Sequence, residues 1–385
     1  MSLNVKVGPV VSLCRLLIAD TSTGYHFSAL IGNRDDPKNY TSREWNTFPQ
    51  NIPMTTARLG TKVKVSWLDL RGSGLSAIER LALEEVLLRH DARCWAILGT
   101  HEPVENRYLR KVQLPTHVAN CNDRNQSCVI VMGIGGKPKD LINMDLVRKD
   151  GVLVLKRFSG GGTVVLDHSS LWTTLIGRSD KFVDIEPYPR PIMEWSANKV
   201  FGPAFDILKQ NALLHPASFV TSTYPTMIVD TKSCGTENSG RTVQLPTALQ
   251  SKIVEFPEFS LRENDYVLGE RKMGGNAQSI VKGGWLHHTS FLWDYIDDHM
   301  EYLSLPSKRP EYRGDRKHED FLVKLKTHYG PLRTIGFFAA VKQACVDEFD
   351  VEEVTLREAM KIVDDQFGSL QEWYDGKCRT KIAEL

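Results

Sequence analysis

The chain has almost no net charge. Its 385 residues carry 48 Lys and Arg against 47 Asp and Glu, a formal +1. That excludes a broad basic footprint for nucleic acid or for anionic membranes, so any positive field has to be local. Cysteine is sparse and without pattern. The seven (Cys14, Cys94, Cys121, Cys128, Cys234, Cys345, Cys378) include no C-x-x-C pair and are odd in number. This fits free thiols in a reducing, intracellular compartment better than a disulfide framework. No apolar run approaches the roughly 20 residues of a membrane span. The run at 10–19 is broken by Arg15 and lacks the flanks of a secretory signal. Lys6 and Arg15 before Asp20 leave organelle import open. Internal repeats and low-complexity tracts are also missing. What remains is globular composition, 41% hydrophobic and 25% charged, enough for one large domain or two modest ones.

Glycine is where the sequence becomes informative. Lys156-Arg157-Phe158-Ser159-Gly160-Gly161-Gly162-Thr163 sits between the apolar runs 152–155 and 164–166. Consecutive bare N–H groups can point at one anion, and Arg157 can add a forked, permanent charge. A phosphate or carboxylate loop and a plain glycine-rich hairpin turn are equal readings of these residues alone. A second glycine turn, Gly133-Ile134-Gly135-Gly136-Lys137-Pro138, reads as a connector.

Around the loop the pattern is of strands flanked by helices. Residues 75–90 form a helix, with Ser76 and Glu79 at capping-box spacing. Strands are expected at 95–99, 127–132, 151–156, 163–166 and 170–177, and a helical turn at 143–149. A helix over 191–212 is expected to break at Gly202-Pro203. Candidate strands at 217–221 and 226–230 precede a polar loop at 232–250. Strand 264–268 and the hairpin 271–281/285–294 follow. The rest reads as helices at 319–328, 332–349 and 354–374. The class is α+β, with a mixed, mostly antiparallel sheet flanked by helices. The expected division is an N-terminal extension over 1–70, a catalytic domain over 71–350 and a C-terminal helical segment over 351–385.

Lys272, followed by Gly274-Gly275-Asn276-Ala277, is the second chemical signal. A strand lysine beside small residues can lie along a ligand and place its ammonium on developing negative charge. A lone strand lysine is ordinarily a solvated one, and the pairing with an anion loop is what raises the functional reading. Of the adjacent His287 and His288, alternation puts one in the site and one outside. Asp297-Asp298-His299 reads as a solvated turn.

Arg157-x-Ser159-Gly160-Gly161-Gly162-x-Val164 followed by Asp167 resembles the signature of the lipoate–protein ligase catalytic domain, in the biotin/lipoate ligase superfamily. Residues 81–88 resemble that family's first helix. Asn264-Asp265, then Lys272-Met273-Gly274-Gly275-Asn276-Ala277, resemble its asparagine–aspartate strand and lysine motif. His288-Thr289-Ser290-Phe291-Leu292 resembles the hairpin partner. The match covers about residues 75–349. The resemblance implies that ATP and lipoate, or octanoate, give an acyl-adenylate. The acyl group then passes to a lysine of a lipoyl-domain carrier, either the H protein or a 2-oxoacid dehydrogenase acyltransferase subunit. It implies that Lys272 is catalytic. Arg157, Ser159, Gly160, Gly161, Gly162, Thr163, Val164, Val165, Asn264, Asp265, Gly275, Ala277 and His288 would bind the acyl-adenylate. Mg2+ would accompany ATP, with Asp265 as its candidate carboxylate. By family role the location would be mitochondrial, otherwise cytoplasmic.

The sequence departs from the family's pattern in three places. Leu166 replaces the usual histidine before the aspartate. His168-Ser169-Ser170 replaces the glycine after it. The early loop is Ile134-Gly135-Gly136 where arginine and glutamine side chains are usual. After Phe349 the sequence is too short for the bacterial C-terminal accessory domain, so it reads as a short form. The nearest alternative is an ATP-independent octanoyl or lipoyl transferase on the same fold, for which Cys234 would be the candidate nucleophile. A non-catalytic scaffold that binds a carrier is the alternative from another class.

Overall fold

The computed structural model describes residues 13–21, 24–32, 41–44, 62–102, 105–120, 128–214, 256–304 and 309–385. The strands read at 217–221 and 226–230 and the loop containing Cys234 lie outside the described residues. The chain divides into two compact units, Met1–Thr61 and Lys62–Leu385. In the first, β1 (Leu13–Thr21), β2 (Gly24–Gly32) and β3 (Thr41–Glu44) pair antiparallel in that order.

The second unit is built on an eight-stranded sheet. Its strands are β4 (Lys64–Asp69), β5 (Cys94–Thr100), β9 (Ser170–Arg178), β10 (Phe259–Arg262), β11 (Asp265–Leu268), β12 (Arg271–Val281), β13 (Gly284–Leu292) and β14 (Asp350–Val354). The order is β10-β11-β12-β13-β9-β5-β4-β14, antiparallel except where β4 pairs with β5 and β14. A smaller sheet has the order β15-β7-β6-β8, formed by β6 (Cys128–Met132), β7 (Leu153–Lys156), β8 (Val164–Asp167) and β15 (Lys381–Ile382). The expected α+β class with a mixed, mainly antiparallel sheet is what the chain forms.

Strand alternation builds the two cores. Cys94, Ala96 and Leu98 of β5 face one cluster, while Trp95 and Ile97 face the other. Helices α2 (Pro189–Ser196), α3 (Gly202–Leu214) and α4 (Arg333–Glu348) bring residues to the first cluster. The second is filled by α1 (Ala77–His90), α5 (Leu356–Phe367), α6 (Leu370–Gly376) and residues of the small sheet. The expected capping box starts α1: the Ser76 hydroxyl accepts from the Glu79 amide at 3.3 Å, and the Glu79 carboxylate accepts from the Ser76 amide at 3.0 Å. The break expected at Gly202-Pro203 is a π turn, Ala197–Phe201, joining α2 to α3, where Pro203 has no N–H to continue the ladder.

Several elements differ from their sequence reading. Strand 64–69, placed in an N-terminal extension, is an inner strand of the large sheet. Residues 351–385, placed in a separate helical segment, supply most of β14 as well as α5, α6 and β15. β14 is Asp350-Val351-Glu352-Glu353-Val354, an acid-rich edge strand. Charge on an edge discourages further pairing but weakens the strand signal. Helix 319–328 is two short helices, His318–Phe321 and Leu325–Tyr329. No helix among the described residues is long and apolar enough to cross a membrane.

One sheet position is set by a missing side chain. Gly177 lies directly opposite Trp285 across β9 and β13, and a Cβ there would sit 2.3 Å from the indole ring. Trp285 is 1% exposed and has no room to retreat. Gly177→Ala is expected to cost about 1–3 kcal/mol through overpacking, read from the urea unfolding midpoint. A shift worth less than about 0.5 kcal/mol would show that the ring does not constrain this position.

Candidate active site

A buried ionic chain runs from α1 to the glycine loop. Arg80 donates from Nε to Glu84 Oε1 at 2.9 Å, and Thr174 donates to the same oxygen at 2.8 Å. Glu84 Oε2 meets His288 Nε2 at 2.7 Å, and His288 Nδ1 meets Ser159 Oγ at 3.2 Å. Arg157 Nε donates to Ser159 Oγ at 3.0 Å. One donor order satisfies every link: Arg157 to Ser159, Ser159 to His288 Nδ1, and His288 Nε2–H to Glu84. Burial alone would raise the Glu84 carboxyl, but Arg80 and His288 outweigh it and bring it to about 2. Burial pushes His288 below its ordinary value, with Glu84 opposing.

Arg157 ends this chain and shapes the loop. It is 4% exposed, and burial lowers it to about 10, which leaves it charged at neutral pH. Its Nη2 donates to the carbonyls of Gly160 and Gly162, each at 2.8 Å, and its Nη1 to that of Val131 at 3.1 Å. The expected free fork is therefore engaged inside the protein. It pulls loop carbonyls inward, so it acts on a ligand by holding the loop and by its charge. The Gly160 amide is also taken, donating to Gln278 O at 2.8 Å. No acceptor among the described residues meets the amides of Gly161 and Gly162, and the Thr163 hydroxyl is buried without a partner. Gly161 has φ +103°, and a Cβ on it would lie 2.7 Å from Asn276 O and 3.0 Å from Ala277 Cα. Only glycine fits there. Gly133, in the turn read as a connector, packs against the Gly161 carbonyl.

Across from the loop stands Lys272. Its backbone is fixed on both sides, by pairing with Val267 on β11 and by Val323 N donating to its carbonyl at 2.9 Å. The ammonium lies 2.7 Å from Asp265 Oδ1, and Tyr312 donates to Asp265 Oδ2 at 2.9 Å. A Cβ at Gly275 would be in ordinary contact with Lys272 Cε, at 3.9 Å.

Loop and lysine line one cavity of about 670 Å³. Of the residues expected on sequence, it brings together Arg157, Gly161, Gly162, Thr163, Val164 and Val165 with Asn264, Asp265, Lys272, Gly275, Ala277 and His288. Ser159 and Gly160 stand outside its lining, tied to His288 and Arg157, and to Gln278. His287 faces the other way, as alternation requires. It contacts Tyr266 and Gln278, and burial lowers it to about 3. Arg157, Lys272, Arg309 and Arg313 line the cavity against Glu263 and Asp265, an excess of two positive charges in a chain that is almost neutral. Arg80, Glu84, Tyr312 and Arg313 were not singled out on sequence. For Arg80 and Glu84 the signal was a helix with charges on a face that has no solvent to meet. His299 corrects the solvated-turn reading, being 5% exposed with Nδ1 3.9 Å from Asp167.

Asp265, the candidate carboxylate for magnesium, sits between two side chains. Both its oxygens are engaged, by Lys272 and Tyr312. No group of three or more His, Cys, Asp or Glu among the described residues could hold a metal ion. The cation at this carboxylate is the lysine's own.

Residues 115–201, which contain the glycine loop, match the model of the lipoyl protein ligase A/B catalytic domain. An inactive lipoate–protein ligase 2 of Plasmodium falciparum (isolate 3D7) is 31% identical over 218 residues, covering 54% of this chain. The chain spans about half the length of that relative, 49%. Among solved structures, a bi-partite lipoate protein ligase from Thermoplasma acidophilum, from an archaeal lipoylation system with its E2 lipoyl domain, is similar in fold. It has a TM-score of 0.50 at 14% identity and covers 83% of this chain and 100% of its own. A lipoate–protein ligase A bound with ATP gives a TM-score of 0.49 at 16% identity, covering 82% and 96%.

Glu84→Gln tests the ionic chain. It leaves Arg80 buried without its carboxylate, at an expected cost of about 3–5 kcal/mol. The sign of its pH dependence follows from the depressed carboxyl. The stabilisation is fully present above the ordinary value of 4.5 and is lost as pH falls towards about 2. The stability gap between wild type and variant should narrow over that window in denaturation curves. A gap that stays constant from neutral pH to the acid end contradicts the ion pair.

Proposed function

We propose that this chain works as a lipoate–protein ligase, holding a lipoyl- or octanoyl-adenylate in the cavity between the glycine loop and Lys272 and delivering the acyl group to a carrier lysine. The observation that carries this reading is that the free amides of Gly161 and Gly162 and the Lys272 ammonium line one cationic cavity. Its apolar wall includes Leu81, Val131, Leu166 and Met300, which suits an acyl chain.

In the first half-reaction the carboxylate oxygen of the fatty acid attacks the α-phosphorus of ATP. A P–O bond forms and pyrophosphate leaves. Two anions meet in this step, so fixed donors and positive charge lower its barrier. The loop amides hold phosphate oxygens. Lys272, placed by Asp265, turns to the oxygens between acyl and phosphate. In the second half-reaction the carrier's lysine amine attacks the acyl carbon and loses a proton. The C–O bond to AMP breaks, and Lys272 stabilises the departing phosphate. The carriers are lipoyl domains, those of H protein or of 2-oxoacid dehydrogenase acyltransferase subunits. No step is assigned to magnesium.

The engagement of Arg157 favours a second reading, in which the chain performs only the transfer, from an adenylate made elsewhere. Its fork is not free to grip a triphosphate. Incubation with an apo lipoyl domain, read by intact mass, separates the two. Acylation with ATP and octanoate marks a full ligase, and acylation only from preformed octanoyl-adenylate marks a transferase. Acylation from neither overturns the proposal. Lys272→Ala should lower whichever rate is found by about 10²-fold or more while the melting curve stays near that of the wild type.

A further inference from the structure

Arg313 is a buried cation with an unmet donor. It is 6% exposed and lines the cavity with Lys272 and His318. Its guanidinium stacks on Phe321, 4.8 Å from the ring centroid, and its Nε donates to Arg316 O at 3.3 Å. Its Nη2 is buried and meets no acceptor among the described residues. Asp265 favours its charge, and that group's oxygens are already bonded to Lys272 and Tyr312.

The short 3-10 turn Glu311–Arg313 is held in place from several sides. The Tyr312 amide donates to Glu263 Oε1 at 3.1 Å, its hydroxyl donates to Asp265, and Arg316 Nη2 donates to its carbonyl at 2.6 Å. Arg313 is thus presented on a braced turn, and nothing in its own surroundings completes it. A buried guanidinium N–H without an acceptor is costly, and an anion that accepts from it recovers that cost.

We propose that Arg313, with His318 beside it, is a second phosphate-binding subsite of the cavity, opposite in character to the glycine loop. The loop offers backbone amides, and this subsite offers a forked side-chain charge. This rests on the adenylate reading, and it assigns a phosphate group of the nucleotide substrate or its pyrophosphate product to the 309–318 segment. A forked guanidinium with an unmet N–H suits the oxygens of a phosphate, and it shares the cavity with Lys272.

The test is titration calorimetry of the full chain with inorganic pyrophosphate, AMP and octanoate. It uses the wild type, Arg313→Met, which keeps length and packing on Phe321 without charge, and Arg313→Lys, which keeps charge without the fork. Melting curves verify that each variant is folded. The expected result is that Arg313→Met weakens pyrophosphate or AMP binding about ten- to a hundredfold, the equivalent of one charge-assisted hydrogen bond. Arg313→Lys should fall between, with octanoate affinity unchanged. Phosphate affinity within twofold of wild type in folded Arg313→Met overturns the subsite. So does a wild type that binds neither phosphate ligand, or a loss confined to octanoate. Acyl transfer from preformed octanoyl-adenylate, measured in parallel, reports on the proposed function separately and can survive any of these outcomes.

Discussion

A guanidinium cannot be buried cheaply, and Arg157 shows what it takes. Its N–H groups meet three carbonyls and one hydroxyl, with no carboxylate among the described residues in contact. Two of those carbonyls belong to the glycine loop, so solvating the charge and folding the loop are one event. Among the described residues the charge has no ionic partner, and the amides of Gly161 and Gly162 meet no acceptor. The loop is thereby a cation-backed nest whose complement is an anion. Remove Arg157, and both the shape and the field go together.

The ionic chain behind it explains why α1 is buried on nearly every side. Arg80 and Glu84 are an internal pair whose second carboxylate oxygen takes His288. His288 in turn supports Ser159, which supports Arg157. Such a chain is a weak source of net stability, because desolvation cancels much of the attraction. Its effect is to fix one arrangement of loop, hairpin and helix. Lys272 is fixed separately, by its two backbone neighbours and Asp265. The two halves of the site therefore rest on different elements and meet only across the cavity.

Much of this was legible in the sequence because it is local. Period and capping gave α1, the glycine run gave the loop, and the hairpin pattern over 271–281 and 285–294 gave β12 and β13. The pairing of His287 and His288 to opposite faces follows from strand geometry alone. What was not legible depends on contacts between distant residues. The engagement of Arg157 needs Val131 and the folded loop. The bracing of Asp265 needs Tyr312, 47 residues away. Arg313 looks like a surface arginine in a polar stretch until the turn that buries it is formed. β14 failed for a different reason: an exposed, acid-rich edge strand carries little hydrophobic pattern, and its place is set by pairing with β4.

The central claim is that the loop and Lys272 face the same group of one ligand. The most direct measurement is a crystal structure of the protein with octanoyl-sulfamoyl-adenosine, a stable mimic of the acyl-adenylate. The expected result is the sulfamoyl group within hydrogen-bond distance of the Gly161 and Gly162 amides on one side and of Lys272 Nζ on the other. An analogue bound elsewhere, or seated in the cavity with its sulfamoyl group away from both, would contradict the account.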